Sequence, residues 1–177
     1  MKIVGISIFL ILTFGCSEKQ TDPRIVKFEK ILGDKQTKSV NLLVSDFEMN
    51  LDKLYPDLPT EKAYRQYLNE IISDTTRDWG KFKFQSKKTN VDFHQSGLYN
   101  EIYVEDSSNG LGVNVTGNYL KALYEVKNSD SLINKYWKVR EFGGLLENEL
   151  FVSGILSSNS DFNDYFHKRI VVLEFSF

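Results

Sequence analysis

From Ile3 to Phe14 the chain carries twelve consecutive uncharged residues, directly behind Lys2. A helix crossing a bilayer needs roughly 20 such residues, so this stretch is too short to span. It has no amphipathic period, which a soluble core helix or strand would show. A leading lysine and a short apolar run are the n- and h-regions of a secretory signal peptide. Residues 1–15 therefore fall outside the folding unit, and 177 − 15 = 162 residues remain. That length suits a single domain. It buries roughly 70% of its unfolded surface, enough for one core without cross-links.

Cys16 follows at once, behind Gly15, and the chain then turns polar with Ser-Glu-Lys-Gln-Thr-Asp-Pro. It is the single cysteine, which excludes an internal disulfide, a four-cysteine zinc site and a CxxC redox motif. Gly15-Cys16 at the end of an apolar run resembles the lipobox of a bacterial lipoprotein. The resemblance implies that Cys16 becomes the lipidated mature N-terminus, with a diacylglyceryl thioether and usually an amide-linked third chain. Two or more acyl chains hold stably to a bilayer, where one does not. Residues 16–23 then form a short tether, and the membrane becomes a partner through the lipid. The expected location is the bacterial cell envelope, with the outer membrane favoured because Ser17 replaces the aspartate of an inner-membrane retention signal. Which leaflet the domain faces is left open. Thr13-x-Gly15 also fits the small-x-small site of an ordinary signal peptide, which would release a soluble secreted protein.

Without residues 1–15 the charge is 21 − 24 = −3, with no basic stripe, so nucleic acid is not an expected partner. Hydrophobic residues at 41% and charged residues at 26% describe a packed globular chain. Residues 24–177 read as one α+β domain. Val40, Leu43, Val44, Phe47, Leu51 and Leu54 make one helical stripe, stopped by Pro56-Asp57-Leu58-Pro59. Tyr64, Tyr67, Leu68, Ile71 and Ile72 make a second behind Thr60, closing at Gly80, and Ile25 to Leu32 a shorter one ending at Gly33. Residues 81–116 alternate more like strands, with Ser96-Gly97 and Asn109-Gly110 as turns, and predict a small, mainly antiparallel sheet. The last third predicts helices at 119–126, 132–140 and 145–156. It ends in a strand over Ile170 to Phe177, because that run is β-branched and aromatic. A helix running on from Asp164 is the alternative.

No Gly-x-Ser-x-Gly elbow, His-Glu-x-x-His pair or phosphate-cradling loop occurs. Neither a cofactor, a catalytic residue nor a metal site is predicted. Asp161, Asp164 and His167 stand at steps of three and share one face if helical, a candidate ligand site and the place an acid–base hydrolase would need. The competing reading is an Asp-capped turn. His94 lies at the end of an apolar stretch, and Lys81, Lys83, Lys87 and Lys88 form a basic patch suited to anionic headgroups or polysaccharide. Aromatic residues are 14% of the chain, Tyr124 and Trp137 among them, and serve either a core or a sugar- or protein-binding face. The expected function is a non-enzymatic, membrane-anchored envelope module that binds a protein, a glycan or a small ligand. The alternatives are an envelope hydrolase at Asp161–His167 and an inhibitor or immunity-like module.

Overall fold

The computed structural model describes residues 22–73, 79–105 and 110–176, without the side chains of Trp79 and Lys81. The apolar leader, Cys16 and most of the 16–23 tether lie outside the described residues, as does the turn at 106–109.

Helix α1 (Pro23–Leu32) starts under Asp22, whose carboxylate accepts the Arg24 N–H at 2.8 Å. Proline at its first position loses nothing, since that N–H has no helical partner. Gly33 ends it at φ +98°, a region that a side chain disfavours, and the chain turns at once into α2 (Asp34–Leu54). The stripe of α2 is buried from Val40 to Leu51, while Leu54 at its end is exposed. The helix stops at Tyr55, next to Pro56, as the proline rule requires. Helix α3 (Thr60–Ser73) buries Ala63, Tyr64, Tyr67, Leu68 and Ile71. Thr60 is its first helical residue rather than its cap, and Ile72 is exposed. The chain reappears after α3 as a 3-10 turn, Trp79–Phe82, so Gly80 lies within that turn.

Next come α4 (Lys87–Gln95), α5 (Leu98–Ile102), β1 (Tyr103–Glu105) and β2 (Leu111–Val113). The two strands pair antiparallel, Tyr103 opposite Val113 and Glu105 opposite Leu111, as the Asn109-Gly110 turn signal predicted. Then follow α6 (Asn118–Val126), α7 (Ser131–Gly143), α8 (Asn148–Leu156) and α9 (Tyr165–Glu174). The described residues are thus mainly helical, with one small antiparallel sheet. Helix α2 is central and touches α1, α3, α4, α5 and α9, while α7 also meets α9. Phe47 sits at the hub, its ring 5.0 Å from Tyr64, 4.8 Å from Tyr67 and 5.0 Å from Phe84.

Two expectations need correction. The sheet is smaller than residues 81–116, because 87–95 and 98–102 are helical on either side of the Ser96-Gly97 turn. Phe82 and Phe84 are buried and Lys83 between them exposed, so the alternation foretold facing correctly. It did not foretell pairing. Side chains serve this backbone instead of a ladder: Tyr67 Oη donates to the Phe82 carbonyl at 3.1 Å, and the Ser86 N–H donates to Asp46 at 2.8 Å. The C-terminal segment is a helix, not a strand. Asp164 caps α9 by accepting the N–H groups of Phe166 and His167, and nearly every residue from Phe166 to Glu174 is buried. Packing on several sides, chiefly against α2 and α7, overrides the strand preference of Ile170, Val171 and Val172.

Candidate functional site

Asp161, Asp164 and His167 do come together, but around backbone. The Asp161 N–H donates to His167 Nδ1 at 2.9 Å, and its carboxylate accepts the Asn163 N–H at 2.8 Å. Asp164 is consumed by the α9 cap. With Nδ1 an acceptor, the neutral ring carries its proton on Nε2. That atom faces Asp130 Oδ1 at 3.3 Å, within ion-pair reach but off the line of a hydrogen bond. Asp130 is itself the cap of α7, accepting from Leu132 and Ile133. Burial pushes the Asp130 carboxyl up, but the Ile133 N–H and His167 outweigh it and hold it below the ordinary value. Arg24 completes the junction, 2.6 Å from Asp22 and 3.7 Å from Asp164. Three helix N-termini, each capped by an aspartate, thus meet here. None of the cavities described below is walled by Asp161, Asp164 or His167. Among the described residues, no group of His, Cys, Asp and Glu is arranged to hold a metal.

The other end of α9 holds a buried ion pair. Arg140 of α7 donates to Glu174 Oε2 at 2.6 Å, with side chains 2% and 1% exposed. Tyr136 donates to the same oxygen at 3.1 Å and accepts from Arg140 Nε at 3.1 Å. Burial drives Glu174 upward against the pull of Arg140 and Tyr136. Its second oxygen, Oε1, has no hydrogen-bond partner among the described residues. A buried polar atom in that condition is costly and calls for an explanation.

A cavity of about 800 Å³ opens as a groove beside this end. Its walls come from the 83–86 segment, α4, the hairpin and the residues after α9. Lys83, Lys87 and His94 stand exposed on it, and Phe84, Phe93 and Tyr99 supply aromatic surface. No carboxylate pairs with Lys83 or Lys87 among the described residues, and no acidic residue lines the groove. Local order is strong. Ser86 caps α4 by accepting the Thr89 N–H at 3.2 Å, and Gln85 links Asn90 to the Ser176 carbonyl. Burial pushes Asp46 up, yet hydrogen bonds from the Ser86 N–H and the Thr89 and Ser86 hydroxyls hold it below the usual range. A smaller chamber of about 300 Å³ adjoins the groove, sharing Lys83 and Phe175 with it. Tyr67, Ile71, Phe82, Asn148 and Glu174 complete its wall.

Elsewhere on the surface, Tyr124 and Phe142 are 51% and 81% exposed and pack on Trp137 at 5.3 and 6.2 Å. Lys127 lies over two rings of that ledge, 3.7 Å from Tyr124 and 4.5 Å from Trp137. An exposed aromatic ledge thus coexists with the groove.

Lys83 and Lys87 belong to the basic patch legible in the sequence, and His94 stands apart from it there. Sequence reading missed Gln85, Asn90, Leu111, Phe175, Ser176 and the Arg140–Glu174 pair. The only local signal was Ser86, a cap three residues before Thr89. Fold and site together define a mainly helical domain with an open groove that carries Lys83 and Lys87. Comparison with protein-family models, with curated proteins and with solved structures finds no match for the chain.

Proposed function

We propose that this protein is a lipid-anchored bacterial envelope module that binds an anionic ligand, a glycan or small molecule, in the groove walled by Lys83, Lys87 and His94. The observation that carries this reading is the groove itself. It concentrates exposed cationic groups over aromatic surface with no carboxylate in its wall. Two unpaired ammonium groups at a concave surface attract an anion more strongly than the same charges on a flat face, because the low-dielectric walls focus the field. Its volume lies in the usual range for small-ligand sites. A hydrolase finds less support, since Asp161, Asp164 and His167 are each engaged by backbone N–H groups. The anchor is carried by the apolar leader and Cys16. No described helix is long and apolar enough to cross a membrane.

Two measurements test the reading. Cys16→Ser should abolish membrane association and remove the lipid mass from the intact product; an unchanged mass and location would refute the anchor. Titration of the mature protein with inorganic phosphate should shift the NMR signals of His94 and its neighbours. The Lys83→Glu/Lys87→Glu double variant should lose that response. Identical titrations would remove the groove from consideration.

A further inference from the structure

The chamber beside the groove holds a feature that packing alone leaves unexplained. Glu174 is 1% exposed, its Oε2 takes bonds from Arg140 and Tyr136, and its Oε1 takes none among the described residues. The Arg140–Glu174 pair is already neutral. A second cation brought to Oε1 would leave an uncompensated buried charge, whereas an uncharged O–H or N–H would satisfy the oxygen without that penalty. Tyr67, Ile71, Phe82 and Phe175 supply aromatic and aliphatic wall, with the Asn148 amide and Lys83 as further polar groups. Flat rings beside a carboxylate and an amide suit the apolar face and hydroxyl edge of one sugar ring. About 300 Å³ is the lower bound of ordinary ligand sites and accepts a group of that size.

Lys83 and Phe175 line both cavities. We propose that groove and chamber form one binding site and that its ligand is an anionic saccharide, with the charge on Lys83 and Lys87 and a ring hydroxyl donating to Glu174 Oε1. The proposal rests on the reading of the groove as an anion site and names the ligand class. Oε1 has less than 1 Å² of exposed surface, so the hydroxyl reaches it only when a side chain of the chamber wall shifts. Phe175 is half-buried and rests edge-on against Tyr67 and Phe151, 6.0 and 5.7 Å between centroids.

The test is calorimetric titration of the mature protein with glucose 6-phosphate and glucuronate, with inorganic phosphate and acetate as ringless controls. At least one sugar anion should bind ~10-fold or more tighter than its control. Ile71→Trp fills the chamber from α3 and should erase that preference while leaving phosphate affinity unchanged. Because a bulky core substitution can unfold the domain, Asn148→Leu at the chamber rim provides a second variant, expected to cut the sugar preference several-fold. Equal binding of sugar anions and controls by the native protein would overturn the saccharide proposal and leave the anion groove standing. So would a preference that survives in both variants. Failure of all four probes to bind would overturn the groove reading as well.

Discussion

The two ends of helix α9 treat their ionisable groups in opposite ways. At the start, Asp164 accepts two backbone N–H groups, His167 accepts a third and Asp161 a fourth. At the finish, Glu174 holds Arg140 through one oxygen and leaves the other unmet, and a chamber and a groove open beside Phe175. Groups a few residues apart tend to satisfy the backbone between them, because the cap geometry is local and costs little ordering. Groups drawn from distant segments have no such outlet, and concave, incompletely satisfied surfaces form among them. The cluster that looked most like a site is structural, and the scattered residues make the cavity.

That contrast can be broken at several points. The largest effect is expected at Glu174→Ala, which strips a buried guanidinium of its partner and should cost about 3–5 kcal/mol in urea unfolding. A loss under about 1 kcal/mol would mean that the pair is dispensable and the two ends are not so different. Reversing both groove charges, Lys83→Glu with Lys87→Glu, should weaken phosphate binding at least ~10-fold, about 1.4 kcal/mol. The same double variant should unfold within about 0.5 kcal/mol of the native protein, since both side chains are exposed. Asp164→Ala removes the α9 cap and should cost about 1 kcal/mol with no change in phosphate affinity. A loss of affinity there would restore the Asp161–His167 turn as a binding element.

Acid provides a finer probe. Hydrogen bonds from Arg24 hold Asp22 below its ordinary value of 3.8, and Asp46 and Asp130 are held below it by the bonds described above. A carboxyl depressed in the fold contributes stability that is complete above its unfolded value and disappears as pH falls through the lower folded one. Stability should therefore hold down to about pH 4 and drop below it, read from denaturation midpoints in a pH series. Asp46→Asn should flatten part of that drop, and it isolates the groove end because Asp46 tethers Ser86. The smallest effect is expected for Asp161→Asn, which keeps an acceptor for the Asn163 N–H and should stay within about 0.5 kcal/mol of the native protein. A larger change would give that side chain a role that its turn does not explain.

Much of the helical frame was legible because period and punctuation are local. The α2 and α3 stripes, the prolines between them, Gly33 and the hairpin at 103–113 all follow from spacing and turn chemistry. Two segments misled. Lys81 to Gln85 has the alternation of a strand, but alternation reports which side is buried and says nothing about a pairing neighbour. Ile170 to Phe175 has strand-like composition, yet a capped helix at the domain centre buries the same side chains. Of the groove, the lysines and His94 were visible as separate features, and nothing in their spacing joined them.

What the sequence alone determined is therefore the helix stripes and their stops, each set by contacts within a few residues. Tertiary structure decided that α9 is a helix, that Arg140 meets Glu174 across 34 positions, and that Lys83, His94, Leu111 and Phe175 share one wall. Those outcomes depend on which buried faces find one another. Side-chain period fixes a face but not its partner, so they exist only once the chain has closed on itself.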